Sequence, residues 1–148
     1  MENKAETRPR VLVIDEDLLF SVRIEKTLQK LGYEVYVAGS SEEALDTAEG
    51  HSLALTIINY GRENLSPLAT TEKLKALPQP APVLGFVSHK LIPQIRPDAM
   101  SAGCDLLVAN SALTMRLPQL VEKLAPLDGS AAMIIEAEEF EEEEEAGS

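Results

Sequence analysis

Residues 53–61 read LALTIINYG, an apolar run rich in β-branched side chains that stops at a polar residue, Asn59, and is closed by Gly61. Runs of this length and composition form strands buried on both faces, as in the middle of a parallel sheet. In open α/β sheets, the residue just past the carboxyl end of such a strand lies in the ligand crevice. Asn59 is therefore the first candidate for a functional position. The plainer account is that a strand-end Asn opens a turn.

Working outward, three more continuous apolar runs end in polar residues. Residues 11–14 (VLVI) run into Asp15, Glu16 and Asp17, residues 83–87 (VLGFV) into Ser88 and His89, and residues 106–109 (LLVA) into Asn110. Residues 33–38 (YEVYVA) supply a further strand. Helical patterns lie between these runs. Phe20, Ile24, Leu28 and Leu31 form a stripe at spacings of four, four and three, with Asp17 placed to cap its start and Gly32 to end it in a left-handed conformation. Ser40 and Glu43 have capping-box spacing, and Ser66-Pro67 reads as a cap followed by a first-position proline. Two helices are poorly written. Pro93 and Pro97 predict an irregular arm and then a short helix from near Pro97, because an interior proline costs about 3 kcal/mol. Pro118 predicts a tight turn followed by a helix over 118–124, with Leu117, Leu120, Val121 and Leu124 on its core face.

Five strands alternating with helical segments and joined by short connections predict an α/β fold: a flavodoxin-like five-stranded parallel sheet, order 2-1-3-4-5, with helices on both faces. Strands one and three are then neighbours, which sets Asp15 and Glu16 beside Asn59, with Ser88 and Asn110 on the same rim.

Charge and composition narrow the function classes. The formal charge is −12, but residues 131–148 hold eight Glu without Lys or Arg, which leaves −4 for the remainder. A mildly acidic body without clustered cations argues against a nucleic-acid surface. No run approaches a membrane span, and the charged residues 1–9 do not form a signal peptide, so a cytoplasmic location is expected. The expected organisation is a polar leader at 1–9, one domain at 10–126 and a disordered acidic tail at 127–148. The tail reads as a solubility element, as a segment docking on a basic partner through Met133, Ile134, Ile135 and Phe140, or as one folding back on the domain. Cys104 has no partner thiol and reads as a small, half-buried apolar residue, and His51 as a solvent residue.

From residue 10 to 124 the order VLVIDED, LGYEV, SEEAL, LTIIN, PVLGFV, AGCD resembles the receiver domains of bacterial two-component response regulators, the CheY-like superfamily. The resemblance implies a phosphorelay signalling domain in which an acidic pair after strand one holds Mg²⁺ and an aspartate ending strand three accepts a phosphoryl group from a kinase. A hydroxyl after strand four, a lysine after strand five and an aromatic residue within strand five complete the family's site. Here the acidic pair is Asp15 and Glu16, but the acceptor position falls on Asn59, whose amide has no nucleophilic oxyanion. The lysine position falls on Asn110, the proline after it on Ser111 and the aromatic on Leu107. The hydroxyl position is Val87 counting from Pro82, or Ser88 counting back from Asn110.

The chain therefore reads as a degenerate pseudo-receiver, not an enzyme, acting without phosphorylation through protein-protein interaction. No resident cofactor is expected beyond weak Mg²⁺ binding at Asp15 and Glu16; the favoured account of those acids is that they cap the first helix and complement its positive end. The expected partner surface is the helix 4, strand 5, helix 5 face of the family, here residues 91–96 and 112–120. Leu91, Ile92, Ile95 and Met115 are exposed there or else belong to the core. No effector domain is expected after residue 124. The alternative is a small-molecule or nucleotide-sensing domain whose crevice presents Asn59, Ser88 and Asn110. Ser88 and His89 do not make a nucleophile and base, because adjacent strand residues face opposite ways.

Overall fold

The computed structural model describes residues 8–127. Residues 1–7 and 128–148 lie outside that description, and with them most of the expected leader and tail. Five strands, β1 (Arg10–Ile14), β2 (Glu34–Ala38), β3 (Leu55–Asn59), β4 (Val83–Val87) and β5 (Leu106–Ala109), alternate with helices α1 (Leu18–Leu31), α2 (Ser41–Gly50), α3 (Pro67–Lys75), α4 (Ile92–Ala102) and α5 (Asn110–Leu124). All strands pair in parallel in the order β2-β1-β3-β4-β5, the flavodoxin-like arrangement. Central β3 pairs Ile58 with Ile14 on one side and Asn59 with Phe86 on the other, so the polar strand ends gather along one edge.

The period-two alternation of the strands splits the core in two. Val11, Val13, Leu55, Ile57, Leu84, Phe86, Leu106 and Val108 pack against Ile24 and Leu28 of α1 and Leu113, Leu117, Leu120 and Val121 of α5. Leu12, Ile14, Ile58, Val83, Val87, Leu107 and Ala109 face Ala44 of α2, Leu74 of α3 and Ile92 and Ala99 of α4. Both faces of the sheet are thus covered, which is why the central strands read as unbroken apolar runs rather than alternating ones.

Local signals explain most helix ends. Asp17 caps α1 by accepting from the Phe20 N–H, and Gly32 closes it at φ +111°. Ser40 accepts from the Glu43 N–H while the Glu43 carboxylate takes the Gly39 N–H at 2.9 Å, one residue short of the standard reciprocal bond. Several expectations are corrected. Strand three starts at Leu55, after a half-buried lead-in at Leu53 and Ala54. Leu31 is 40% exposed, because α1 ends where the core stripe has rotated away. Ser66 precedes α3 but makes no capping bond: it sits at φ +44°, closing a 3-10 turn over Glu63–Leu65.

The arm and short helix expected near Pro97 form a 3-10 turn, His89–Leu91, running straight into α4. Pro93 falls in its first two positions, where a missing N–H has no intrahelical partner to lose, so only Pro97 removes a bond. Pro118 coincides with a break, but helix precedes it as well: α5 begins at Asn110 and kinks at Arg116 (φ −123°, ψ 24°). Leu117, Leu120 and Val121 are buried as expected, and Leu124 packs partly buried against them. Cys104 is fully buried rather than half-buried. No helix among the described residues is long and apolar enough to cross a membrane.

Candidate functional site

The carboxyl edge of the sheet collects the ends of β1, β3, β4 and β5, and the strand order brings Asp15 and Asn59 into contact. The Asn59 Nδ2 donates to Asp15 Oδ2 at 3.2 Å, and the Gly61 N–H donates to Asn59 Oδ1 at 2.8 Å. The second bond opens a turn and fixes the carboxamide, with its nitrogen towards the acid. The turn-opening account of Asn59 is the one these bonds show, at the carboxyl edge of the sheet. A Cβ on Gly61 would stand 3.2 Å from Asn59 Oδ1, so any larger residue there would press on the carboxamide by a few tenths of an ångström.

Asp15 is 1% exposed, and a buried carboxylate needs donors on both oxygens. Its Oδ1 accepts the Asp17 N–H at 3.1 Å. The remaining partner is one that the sequence reading missed. Arg62, in the loop after β3, places Nε 3.7 Å from Asp15 Oδ1 and an Nη 3.7 Å from Asp17 Oδ2. The strand ends Asn59, Ser88 and Asn110 bring no Lys or Arg to this rim, whereas the loop after β3 folds a guanidinium back over it. Its signal was a lone cation three residues beyond Asn59, in a polar loop beside three acids.

The other candidates share the edge without joining this cluster. Glu16 is exposed and accepts from Asn64 Nδ2 at 3.3 Å, so the acidic pair diverges. Ser88 is half-buried and gives its carbonyl to the Leu91 N–H of the 3-10 turn. Asn110 is exposed on the first turn of α5, its carbonyl accepting from Thr114 Oγ1. Val87, buried at the end of β4, has a methyl 3.7 Å from where a Gly61 Cβ would lie. The side chain nearest the Asn59 turn from β4 is thus an isopropyl group. Among the described residues, no three His, Cys, Asp or Glu side chains are grouped to hold a metal ion.

Beneath the turn, Tyr60 folds its ring back onto β4. Its hydroxyl bonds to Thr71 Oγ1 at 2.6 Å, tying the end of β3 to α3. Burial pushes the Tyr60 phenol well above its ordinary pKa and lifts the nearby Cys104 thiol to about 11. Cys104 is therefore an unreactive thiol, its Sγ directed at the Leu106 carbonyl. His51 is exposed, as expected, and stacks on Tyr36 at 4.4 Å between ring centroids. A groove of about 400 Å³ opens at the opposite edge of the sheet, lined by Gly50, His51, Leu77 and Pro78. It includes none of Asn59, Ser88 or Asn110.

Neither a protein-family model nor a curated protein matches the chain. Solved structures do. The chemotaxis response regulator CheY4 of Vibrio cholerae is 19% identical and superposes with a TM-score of 0.66 over 76% of this chain and 98% of its own. A two-component response regulator from Clostridium difficile gives 16% identity and a TM-score of 0.72 over 83% of this chain and 100% of its own. The response regulator TrrA of Thermotoga maritima, solved in complex with Mg²⁺-BeF, gives 25% and 0.67 over 78% of this chain and 98% of its own. The fold is that of the response-regulator receiver domains.

Proposed function

We propose that the chain is a receiver-like signalling domain of the two-component type that works without phosphorylation, by binding a protein partner, in the cytoplasm and without catalytic activity of its own. The observation that carries this reading is the Asn59 carboxamide, which donates to buried Asp15 from the end of β3. A receiver acceptor there must be an oxyanion that attacks phosphorus. The Asn59 oxygen is a neutral amide already bonded to the Gly61 N–H, and its other end is a donor. Asn110 supplies no cation, Leu107 is a fully buried aliphatic side chain, and Val87 offers no hydroxyl. TrrA was captured with Mg²⁺-BeF; this chain has neither the carboxylate nor the lysine such a group would engage.

Exposed apolar side chains support the partner face that the resemblance implies. On the α4, β5, α5 face Met115 is 77% and Leu91 38% exposed, whereas Ile92 is buried and Ile95 half-buried, so the four residues divide between the two alternatives, surface and core. Leu18, Leu19 and Val22 expose a second apolar group on the first turns of α1. Met115 and Leu91 are the anchors assigned to the partner.

The test is the intact mass of the purified protein after incubation with a small phosphoryl donor and Mg²⁺, with Asn59→Asp alongside. No hydroxylamine-labile mass gain is expected for the wild type, and a gain would overturn the reading. Affinity capture from the native host with Met115→Glu and Leu19→Glu then tells the two faces apart. Loss of a co-purifying protein with the first variant alone is expected.

A further inference from the structure

The geometry points to Arg62 as a resident cation: its guanidinium and the Asn59 amide nitrogen occupy the side of Asp15 that a divalent ion would need, so the pocket is complete without metal and excludes it. This deepens the proposed function, on which it rests only in taking Asn59 as a non-acceptor.

The argument begins with Asp15, a buried carboxylate whose oxygens are both engaged by the chain itself. Oδ2 takes the Asn59 amide, and Oδ1 takes the Asp17 N–H with the Arg62 Nε beyond it at 3.7 Å. Mg²⁺ demands close octahedral oxygen ligands and surrenders its water reluctantly. Three features stand against it here. The Asn59 group turned towards Asp15 is a donor, which repels a cation, and its oxygen is held by the Gly61 N–H. Glu16 has turned to Asn64. Arg62 sets its guanidinium between Asp15 and Asp17.

The substitution is also self-consistent. An aspartate at position 59 would bring a second carboxylate to about the 3.2 Å now spanned by the hydrogen bond, and like charges at that distance call for a counter-ion. Asn59 removes the charge that would most require a metal, and Arg62 offsets one of the two carboxylate charges left at Asp15 and Asp17. Its ion pairs run from the β3 end to the start of α1, so one side chain holds two of the elements that line the pocket.

The experiment titrates Mn²⁺ into the full chain, read by electron paramagnetic resonance of the free ion, with thermal unfolding in Mg²⁺ as a second readout. The wild type is expected to show no saturable binding and no Tm change. Arg62→Ala is expected to bind weakly, because the Asn59 amide still faces Asp15, and Asn59→Asp with Arg62→Ala to bind about tenfold more tightly, since affinity follows the ligand charge count. Arg62→Lys keeps the positive charge and should reject Mn²⁺ as the wild type does. Binding by the wild type equal to that of Arg62→Ala overturns the assignment. So does rejection by both alanine variants, because another feature would then exclude the ion. A wild type that gains a labile phosphoryl group, yet rejects Mn²⁺ until Arg62 is removed, would sink the phosphorylation-independent reading and leave this one standing.

Discussion

Gly85 shows how a single residue can be fixed by a side chain remote in sequence. It lies in the middle of β4, where a glycine weakens a strand unless something needs the space. That something is Tyr60: a Cβ on Gly85 would stand 2.6 and 2.7 Å from two ring carbons and 3.1 Å from a methyl of Leu107. The ring is rigid and pinned by its bond to Thr71, so the strain cannot be relieved by rotating it away. Gly85→Ala should cost about 1–3 kcal/mol, the usual range for overpacking. In a Tyr60→Leu background the same change should cost much less, and urea unfolding of the four proteins closes the double-mutant cycle. An additive result would show that the ring is not the obstacle. In sequence, VLGFV announced a strand and NYG a strand end, but neither showed that one required the other. Asn59 and Asp15 were legible as neighbours because strand order alone places them. Arg62 was not, because its position depends on a loop conformation that no periodicity encodes.

At the scale of elements, β1, β3, β4 and β5 were readable because burial on both faces leaves a continuous apolar run, whereas the edge strand β2 is only half-buried at Glu34, Tyr36 and Val37. The prolines misled because their effect depends on position within the helix: Pro93 falls where no donor is required, Pro118 just after the kink at Arg116. The end of α5 is held by an equally silent device. Tyr33, leading into β2, donates to the Ala125 carbonyl at 2.7 Å and lies 3.1 Å from a Glu122 carboxylate oxygen, joining two elements about ninety residues apart. Tyr33→Phe strands a buried carbonyl, a loss worth about 1–2 kcal/mol. The cost should be local before it is global. Amide hydrogen exchange in the last turn of α5 should accelerate while the β3 amides keep their protection. Equal acceleration in both would mean that Tyr33 supports the whole fold rather than one junction.

Across the whole molecule, the two cores differ in what they bury besides hydrocarbon, and that difference sets the response to alkali. The α1 and α5 side encloses Tyr33, and the α2, α3 and α4 side encloses Tyr60 beside Cys104. Burial is the largest cause of the raised pKa at all three, and for Tyr33 the nearby Glu122 carboxylate adds to it. Folding therefore increases the proton affinity of each group. For such a group the stabilising contribution is fully present below the unfolded pKa and is withdrawn as pH rises towards the folded one, since the unfolded chain releases its proton first. The unfolded thiol ionises from its ordinary value of 9.0, while the folded Cys104 keeps its proton to about 11. The unfolded phenols follow from 10.0. Every tenfold of proton affinity gained on folding is worth about 1.4 kcal/mol. The urea midpoint should hold steady up to about pH 9, decline beyond it, and fall more steeply once the phenols join. Cys104→Ala should delay the onset, and Tyr33→Phe should flatten the steeper part, each measured against its own stability at pH 8. Tyr60 and Cys104 share one environment, so their two titration steps belong to the pair rather than to either residue, and single removals there should not add. A wild-type midpoint unchanged to pH 11 would mean that these side chains reach water in the folded protein, contrary to the packing that defines both cores.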